Sequence, residues 1–240
     1  APESWLQRVG HIEDPTRRKY AAMVAALDEG VGKVCAALRE LGLEEKTMVF
    51  FLSDNGGPVS VTHSSNAPLR GAKGSVYEGG IRVPFVVRWK GALPGGTTYD
   101  EPVISLDIPV TMVAVAGGAF PEDRKVDGVN ILPYLRGQQQ GPPHKSLFWR
   151  TGGGTNWAVR SGQWKLVKAG QQEEELFDLA SDISETRNLK SEHGEIYEDL
   201  RRQYEEWNKD NIAPLFESLR PPQRANPRRQ AGSSAGPAKP

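Results

Sequence analysis

The sequence predicts an α/β chain in which a layered helix-and-strand region is followed by a small antiparallel sheet with a covering helix. Three observations carry this. An apolar run from Met48 to Leu52 stops abruptly at Ser53-Asp54-Asn55-Gly56-Gly57, the pattern of a strand buried on both faces and hence of a parallel sheet. A long helical pattern precedes that run. Beyond about residue 140 the chain changes to short aromatic- or valine-rich runs separated by glycines and polar turns, as in an antiparallel meander.

Taken in order, the first forty-odd residues read as a leading loop and one long helix. Asp14-Pro15 supplies an N-cap and a first-turn proline. Tyr20, Met23, Val24, Leu27, Val31, Val34, Cys35 and Leu38 recur at helical spacing, and Gly42 ends the pattern. Cys35, on that apolar face, reads as a core filler and not as a nucleophile. Helix followed by a Thr47–Leu52 strand is half of a βαβ unit. Ile81 to Trp89 reads as a second buried strand, closed by Pro94-Gly95-Gly96. Asp107 to Ala116 is a capped apolar helix stopped by Gly117-Gly118, and Leu132 to Leu135 a short helical turn.

A boundary falls near Gln138-Gln139-Gln140-Gly141-Pro142-Pro143. Ser146–Arg150, Trp157–Arg160, Trp164–Val167 and Glu175–Asp178 form the expected meander, with Trp149, Trp157 and Trp164 as its core and not as a sugar platform. Ile196, Leu200, Tyr204 and Trp207 share one helical face that would cover the sheet. From Leu219 on, Pro, Arg, Gln, Ala, Ser and Gly dominate without apolar period, the composition of a disordered tail. The expected organisation is residues 1–140, 141–218 and a tail at 219–240.

With 240 residues and 38% hydrophobic content, the chain can bury a sizeable core. Lys plus Arg and Asp plus Glu each number 30, so the formal net charge is zero and nothing points to nucleic acid or an anionic membrane surface. The apolar stretches are far short of a membrane span. A single cysteine excludes an internal disulfide.

Ligands of α/β sheets bind beyond the carboxyl ends of the strands, where Asp54 and Asn55 stand. One offers a carboxylate and the other a neutral amide oxygen, both hard donors suited to Ca²⁺ or Mg²⁺. Taken alone, Asp-Asn-Gly is also a common turn in which the side chains bond local backbone. Leu69-Arg70-Gly71-Ala72-Lys73-Gly74 brings two cations on a glycine-flanked loop, suited to an anionic group. His63 lies between the two segments and is the candidate for bordering a substrate pocket. Arg82 reads as a structural partner of Glu78, while His11, His144 and His193 lie in polar stretches and read as surface residues.

Three segments together carry a resemblance: Ser53-Asp54-Asn55-Gly56-Gly57, Asn66-Ala67-Pro68-Leu69-Arg70-Gly71-Ala72-Lys73-Gly74 and Tyr77-Glu78-Gly79-Gly80-Ile81-Arg82-Val83-Pro84-Phe85. In this order and spacing they resemble the sulfatase family of the alkaline-phosphatase superfamily. Glu175-Leu176-Phe177-Asp178-Leu179 and Glu185-Thr186-Arg187-Asn188-Leu189 resemble its late signature. The resemblance implies the C-terminal part of an alkaline-phosphatase-like α/β/α sandwich plus a small antiparallel subdomain. It implies Asp54 and Asn55 as ligands of one divalent metal, usually Ca²⁺, and Lys73 as the catalytic cation on the sulfate of a sulfate ester, possibly a sulfated glycan. A periplasmic or secreted setting follows from the same likeness.

Sulfatases use a formylglycine nucleophile made from a Cys/Ser-x-Pro-x-Arg motif, and this chain has none: Cys35 precedes Ala36-Ala37-Leu38. The paired aspartates of the family's first strand and its His-Thr-Pro type segment are also missing. The expectation is therefore a C-terminal part whose nucleophile and partner half lie upstream of Ala1. Two alternatives stand beside it. A one-metal phosphonate or phosphodiester hydrolase of the same superfamily would share these residues, although two-zinc relatives generally carry His where Asn55 stands. A non-catalytic carbohydrate-binding or structural module could retain the fold.

Overall fold

The computed structural model describes residues 1–213, and the expected tail from Leu219 lies outside them. Asp14 caps the long helix α2 (Pro15–Glu40) by accepting from the Arg17 amide at 2.6 Å, with Pro15 in the first turn. The chain leaves α2 through Gly42, whose φ of 65° suits a residue without Cβ. Preceding it, residues read as a loop form a short helix α1 (Glu3–Arg8). The apolar stripe of α2 is not core among the described residues: Ala22 is buried, whereas Met23, Val24, Leu27 and Val34 are exposed and Cys35 is only half-buried.

Strand β1 (Val49–Leu52) follows as expected, but its partner corrects the parallel-sheet reading. It pairs antiparallel with β2 (Phe85–Arg88), Val49 opposite Arg88 and Leu52 opposite Phe85, and Phe51 and Val86 stay exposed. An apolar run states that a strand is wanted; strand direction is set by which segment arrives beside it. The second strand is also shorter than Ile81–Trp89, because Ile81 closes the single turn α4 (Glu78–Ile81) and Pro84 separates that turn from β2. Between β1 and α4 lies another single turn, α3 (Val59–Thr62). Glu44, buried in a turn before β1, bonds Arg88 at 2.5 Å and Lys90 at 3.0 Å and so ties the end of α2 to β2.

Helix α5 (Asp107–Val115) and the turn α6 (Leu132–Leu135) stand where the sequence places them. Asp107 is fully buried: its carboxylate accepts from the amides of Ile104 and Val129 and from His144 Nε2 at 2.9 Å. His144, expected at the surface, instead has its side chain almost wholly covered, because only the fold brings a carboxylate to it across 37 residues.

The meander is as expected, with β3 (Ser146–Thr151), β4 (Asn156–Ser161), β5 (Trp164–Ala169) and β6 (Glu175–Asp178) in sequential antiparallel order. Both faces of this sheet are buried, and the side-chain period of two sorts them. Trp157, Val159, Leu166 and Leu176 face Leu200 and Tyr204 of the covering helix α7 (Gly194–Asn208). Trp157 stacks on Tyr204 with ring centroids 4.0 Å apart. The other face, with Ala158, Val167 and Phe177, packs on Val76 and Tyr77 from the α4 approach. The small sheet therefore sits directly behind the loops that carry the candidate site.

Candidate functional site

The three glycine-rich segments close on one another chiefly through backbone. Gly56 N–H donates to Gly80 O at 2.9 Å, Gly79 N–H to Arg70 O at 2.7 Å, and Lys73 N–H to Gly57 O at 3.3 Å. The glycines are required by this proximity: a Cβ on Gly56 would lie 1.8 Å from Gly79 O, and one on Gly80 would lie 2.2 Å from Ser75 O. At the centre stands Asn66. Its Nδ2 donates to the carbonyls of Gly57, Gly71 and Gly79 at 3.1, 3.2 and 3.0 Å, while its Oδ1 accepts from Gly57 N–H at 3.1 Å. One amide thereby touches all three segments, with two hydrogens shared among three acceptors.

Asp54 and Asn55 follow β1 directly, and the clamp holds the lysine loop two residues beyond them. Neither side chain bonds the local backbone, so the simple Asx-turn alternative does not describe them; the turn is tied instead by Ser53 Oγ donating to Asn55 O at 2.8 Å. The side chains of Asp54, Asn55 and Lys73 have no hydrogen-bond or ion-pair partner among the described residues, and Asp54 and Lys73 are exposed. Among the described residues no group of three His, Cys, Asp or Glu is arranged to hold a metal ion. What is present is a carboxylate and an amide oxygen free of protein partners, a donor pair that fits part of a hard-cation shell.

His63 ends α3 with a left-handed φ of 51°, and its ring is turned to α2: Nδ1 lies 2.9 Å from Asp14 Oδ2. Arg17 closes the arrangement by donating to His63 O at 2.8 Å. The Arg17 amide and then His63 hold the Asp14 carboxyl below its ordinary range. Half of the His63 side chain remains exposed, so Nε2 is available while Nδ1 is engaged. The structure brings Lys73 by backbone to the turn that follows β1, and it brings His63 to Asp14.

Behind the loops lies a buried charge cluster. Lys165 Nζ, fully buried, sits 2.8 Å from Glu78 Oε1 and 2.9 Å from Glu185 Oε1. Arg82 is 3.6 Å from Glu78 Oε2, the pairing expected from sequence. Burial raises the Glu185 carboxyl above its ordinary range, and the Lys165 ammonium opposes that rise. Arg70 does not pair with Glu78: it lies 4.0 Å over the Tyr77 ring and donates to Glu175 at 3.3 Å and to Glu185 O at 2.9 Å. Tyr77 donates to Glu175 Oε2, and burial followed by this carboxylate pushes its hydroxyl up to about 12.

Two family signatures match this chain. The Sulfatase signature covers residues 3–119, and the signature of the N-sulphoglucosamine sulphohydrolase C-terminal region covers residues 72–210, more than half of the chain. The chain belongs to the sulfatase family. Mouse steryl-sulfatase is 42% identical to this sulfatase chain over 136 residues, which are 54% of this chain and 22% of that protein. A sulfatase of Formosa agariphila is 34% identical over 204 residues, covering 74% of this chain and 36% of that one. The matches thus span only 22% and 36% of the length of these two curated relatives. Among solved structures, Ps i-CgsB superposes with a TM-score of 0.84 at 35% identity, covering 90% of this sulfatase chain and 48% of that chain. The same protein is known in complex with k-i-k-neocarrahexaose. The mixed helices and antiparallel sheets fit the C-terminal part of that α/β fold.

Three relationships come from the tertiary structure. For Asn66 the sequence offers one signal, an Asn that introduces a glycine-rich loop. Lys165 interrupts an apolar strand run, which marks it as paired if that strand is buried. Asp14 was read as a helix cap alone, and nothing local announces its second oxygen on His63.

Proposed function

We propose that this chain supplies the metal-strand end and sulfate-binding loop of a sulfatase that hydrolyses sulfate esters, with a sulfated glycan as the substrate class. The observation that carries this is the clamp around Asn66, which leaves the Asp54, Asn55 and Lys73 side chains without partners among the described residues along one set of joined loops. Their chemistry is complementary to an anion held beside a hard cation.

In this reading Asp54 and Asn55 contribute two oxygen ligands to a single Ca²⁺, the remainder coming from outside the described residues. The cation, when bound, neutralises charge on the sulfuryl oxygens. Lys73 presents its ammonium to the sulfate as a point charge on a loop whose backbone is already held, so little ordering is needed when negative charge builds on the oxygens. Asn55 favours one hard cation over zinc, because an amide oxygen is a poor zinc ligand beside imidazole. His63, oriented through Nδ1 by Asp14, offers Nε2 to the substrate at the edge of the same loops. The formylglycine nucleophile belongs to a segment upstream of Ala1. Carbohydrate sulfate as the substrate class is supported by the 35% identity to Ps i-CgsB, whose structure holds k-i-k-neocarrahexaose. A periplasmic or secreted setting is part of the proposal; among the described residues no helix is long and apolar enough to cross a membrane.

The test is to read the coding sequence before Ala1 for a Cys/Ser-x-Pro-x-Arg segment. The protein carrying both parts is then assayed on sulfate, phosphonate and phosphodiester substrates, with and without chelator. Chelator-sensitive release of sulfate in preference to phosphate products is the expected result. Preference for phosphonate or phosphodiester, or absence of the nucleophile segment, overturns it.

A further inference from the structure

We propose that Lys165 and Glu185 are positioning residues for Lys73, acting on its loop through the Glu78-Gly79-Gly80 turn; this rests on the sulfatase reading of that loop. Lys165 enters from β5 on the sheet face that packs against Val76 and Tyr77. A fully buried ammonium is poorly suited to that face on packing grounds alone, since an apolar residue of similar volume often serves a core as well or better. What the ammonium adds is a directed grip. It holds the Glu78 side chain at 2.8 Å across 87 residues of sequence. Glu185 takes hold of the same residue by its backbone, Oε2 accepting from Glu78 N–H at 2.6 Å across 107 residues. Glu185 does so from a left-handed φ of 53°, a conformation that residues with a Cβ rarely adopt. Its backbone is pinned there by Arg70, a member of the lysine loop, through Glu185 O.

From Glu78 the constraint passes forward by backbone contact. Gly79 N–H is bonded to Arg70 O, and Gly80 sits so close to the lysine loop that a Cβ would meet Ser75 O at 2.2 Å and Ala72 O at 2.8 Å. The turn is therefore seated against carbonyls on both sides of Lys73. With no partner for its own side chain among the described residues, Lys73 owes its place to these backbone contacts and to Lys73 N–H on Gly57 O. A displacement of Glu78 is therefore passed by backbone contact to the lysine loop.

The experiment is a double-mutant cycle in the enzyme that carries this chain together with its nucleophile segment, using an aryl sulfate. Lys165→Met should lower kcat/KM by about tenfold or more while far-UV circular dichroism is retained. In a Lys73→Ala background the same change should lower it by less than about threefold, because loop position no longer matters once the ammonium is gone. Affinity for inorganic sulfate, measured by calorimetry, should follow the same non-additive pattern. If the two effects multiply, Lys165 serves stability alone and the inference falls. Should Lys165→Met not fold, Glu185→Gln, which preserves shape, is read in the same cycle with the same two outcomes. A silent Lys73→Ala would instead remove the sulfatase site assignment and this inference with it, whereas a large Lys73→Ala effect with additivity removes this inference only.

Discussion

Asn66 Nδ2 donates to the carbonyl of Gly79 at 3.0 Å, thirteen residues further along the chain. The same amide engages Gly57 and Gly71, so the turn after β1, the lysine loop and the α4 turn share one side chain. Few single atoms in the molecule fix so much of the candidate site.

Asn66→Ala should therefore destabilise the chain by about 3 kcal/mol, the order expected when two or more partly buried backbone groups lose their partner. Asn66→Asp should be at least as damaging, because a carboxylate would face three carbonyl oxygens. Thermal unfolding of both variants checks this. Wild-type stability in Asn66→Asp would show that the clamp is not held by the amide.

On the proposed site assignment, Asp54→Ala and Asn55→Ala should each weaken Ca²⁺ binding and abolish sulfate-ester hydrolysis in the complete enzyme, since each would remove one of its oxygen ligands. Neither side chain supports the fold through a hydrogen bond among the described residues, so unfolding temperatures should stay near wild type. Metal content by elemental analysis is the direct readout. Unchanged metal and activity in both variants would remove them from the site.

For Lys73→Ala the expected loss in kcat/KM is roughly two orders of magnitude, about 3 kcal/mol of transition-state charge stabilisation. The exposed side chain has no partner among the described residues, so stability should not change. A loss below about threefold would return Lys73 to the role of a solvated loop residue.

Tyr77 offers a test of the contact between the loops and the small sheet. Its hydroxyl is pushed up to about 12, by burial first and by Glu175 second, with Arg70 opposing. A raised folded-state value means that the stabilisation is fully present below the ordinary tyrosine range and is lost as pH climbs through about 12. In ultraviolet titration, the wild-type minus Tyr77→Phe difference should therefore ionise near 12. A difference titrating near 10 would mean that the ring is not buried beside Glu175.

Much of this protein was legible without coordinates, and the parts that were share a cause. Helix α2 announces itself through its Asp14 cap and Gly42 stop, the meander through local period, and α5 through its apolar run and glycine stop although no side chain caps it, and all of these act within a few residues. The three glycine-rich segments were likewise visible, because a glycine that must admit another backbone within van der Waals distance leaves its identity in the chain. Periodicity, however, says which face of an element is apolar and not what will cover it. The α2 stripe and the β1–β2 pair show this: the first is exposed among the described residues, and the second is antiparallel where a parallel neighbour was expected. His144 on Asp107, His63 on Asp14 and Lys165 between Glu78 and Glu185 were decided by tertiary structure alone. Their partners stand 37, 49, 87 and 20 residues away in sequence, and burial of such groups is tolerable only once the fold has delivered the partner.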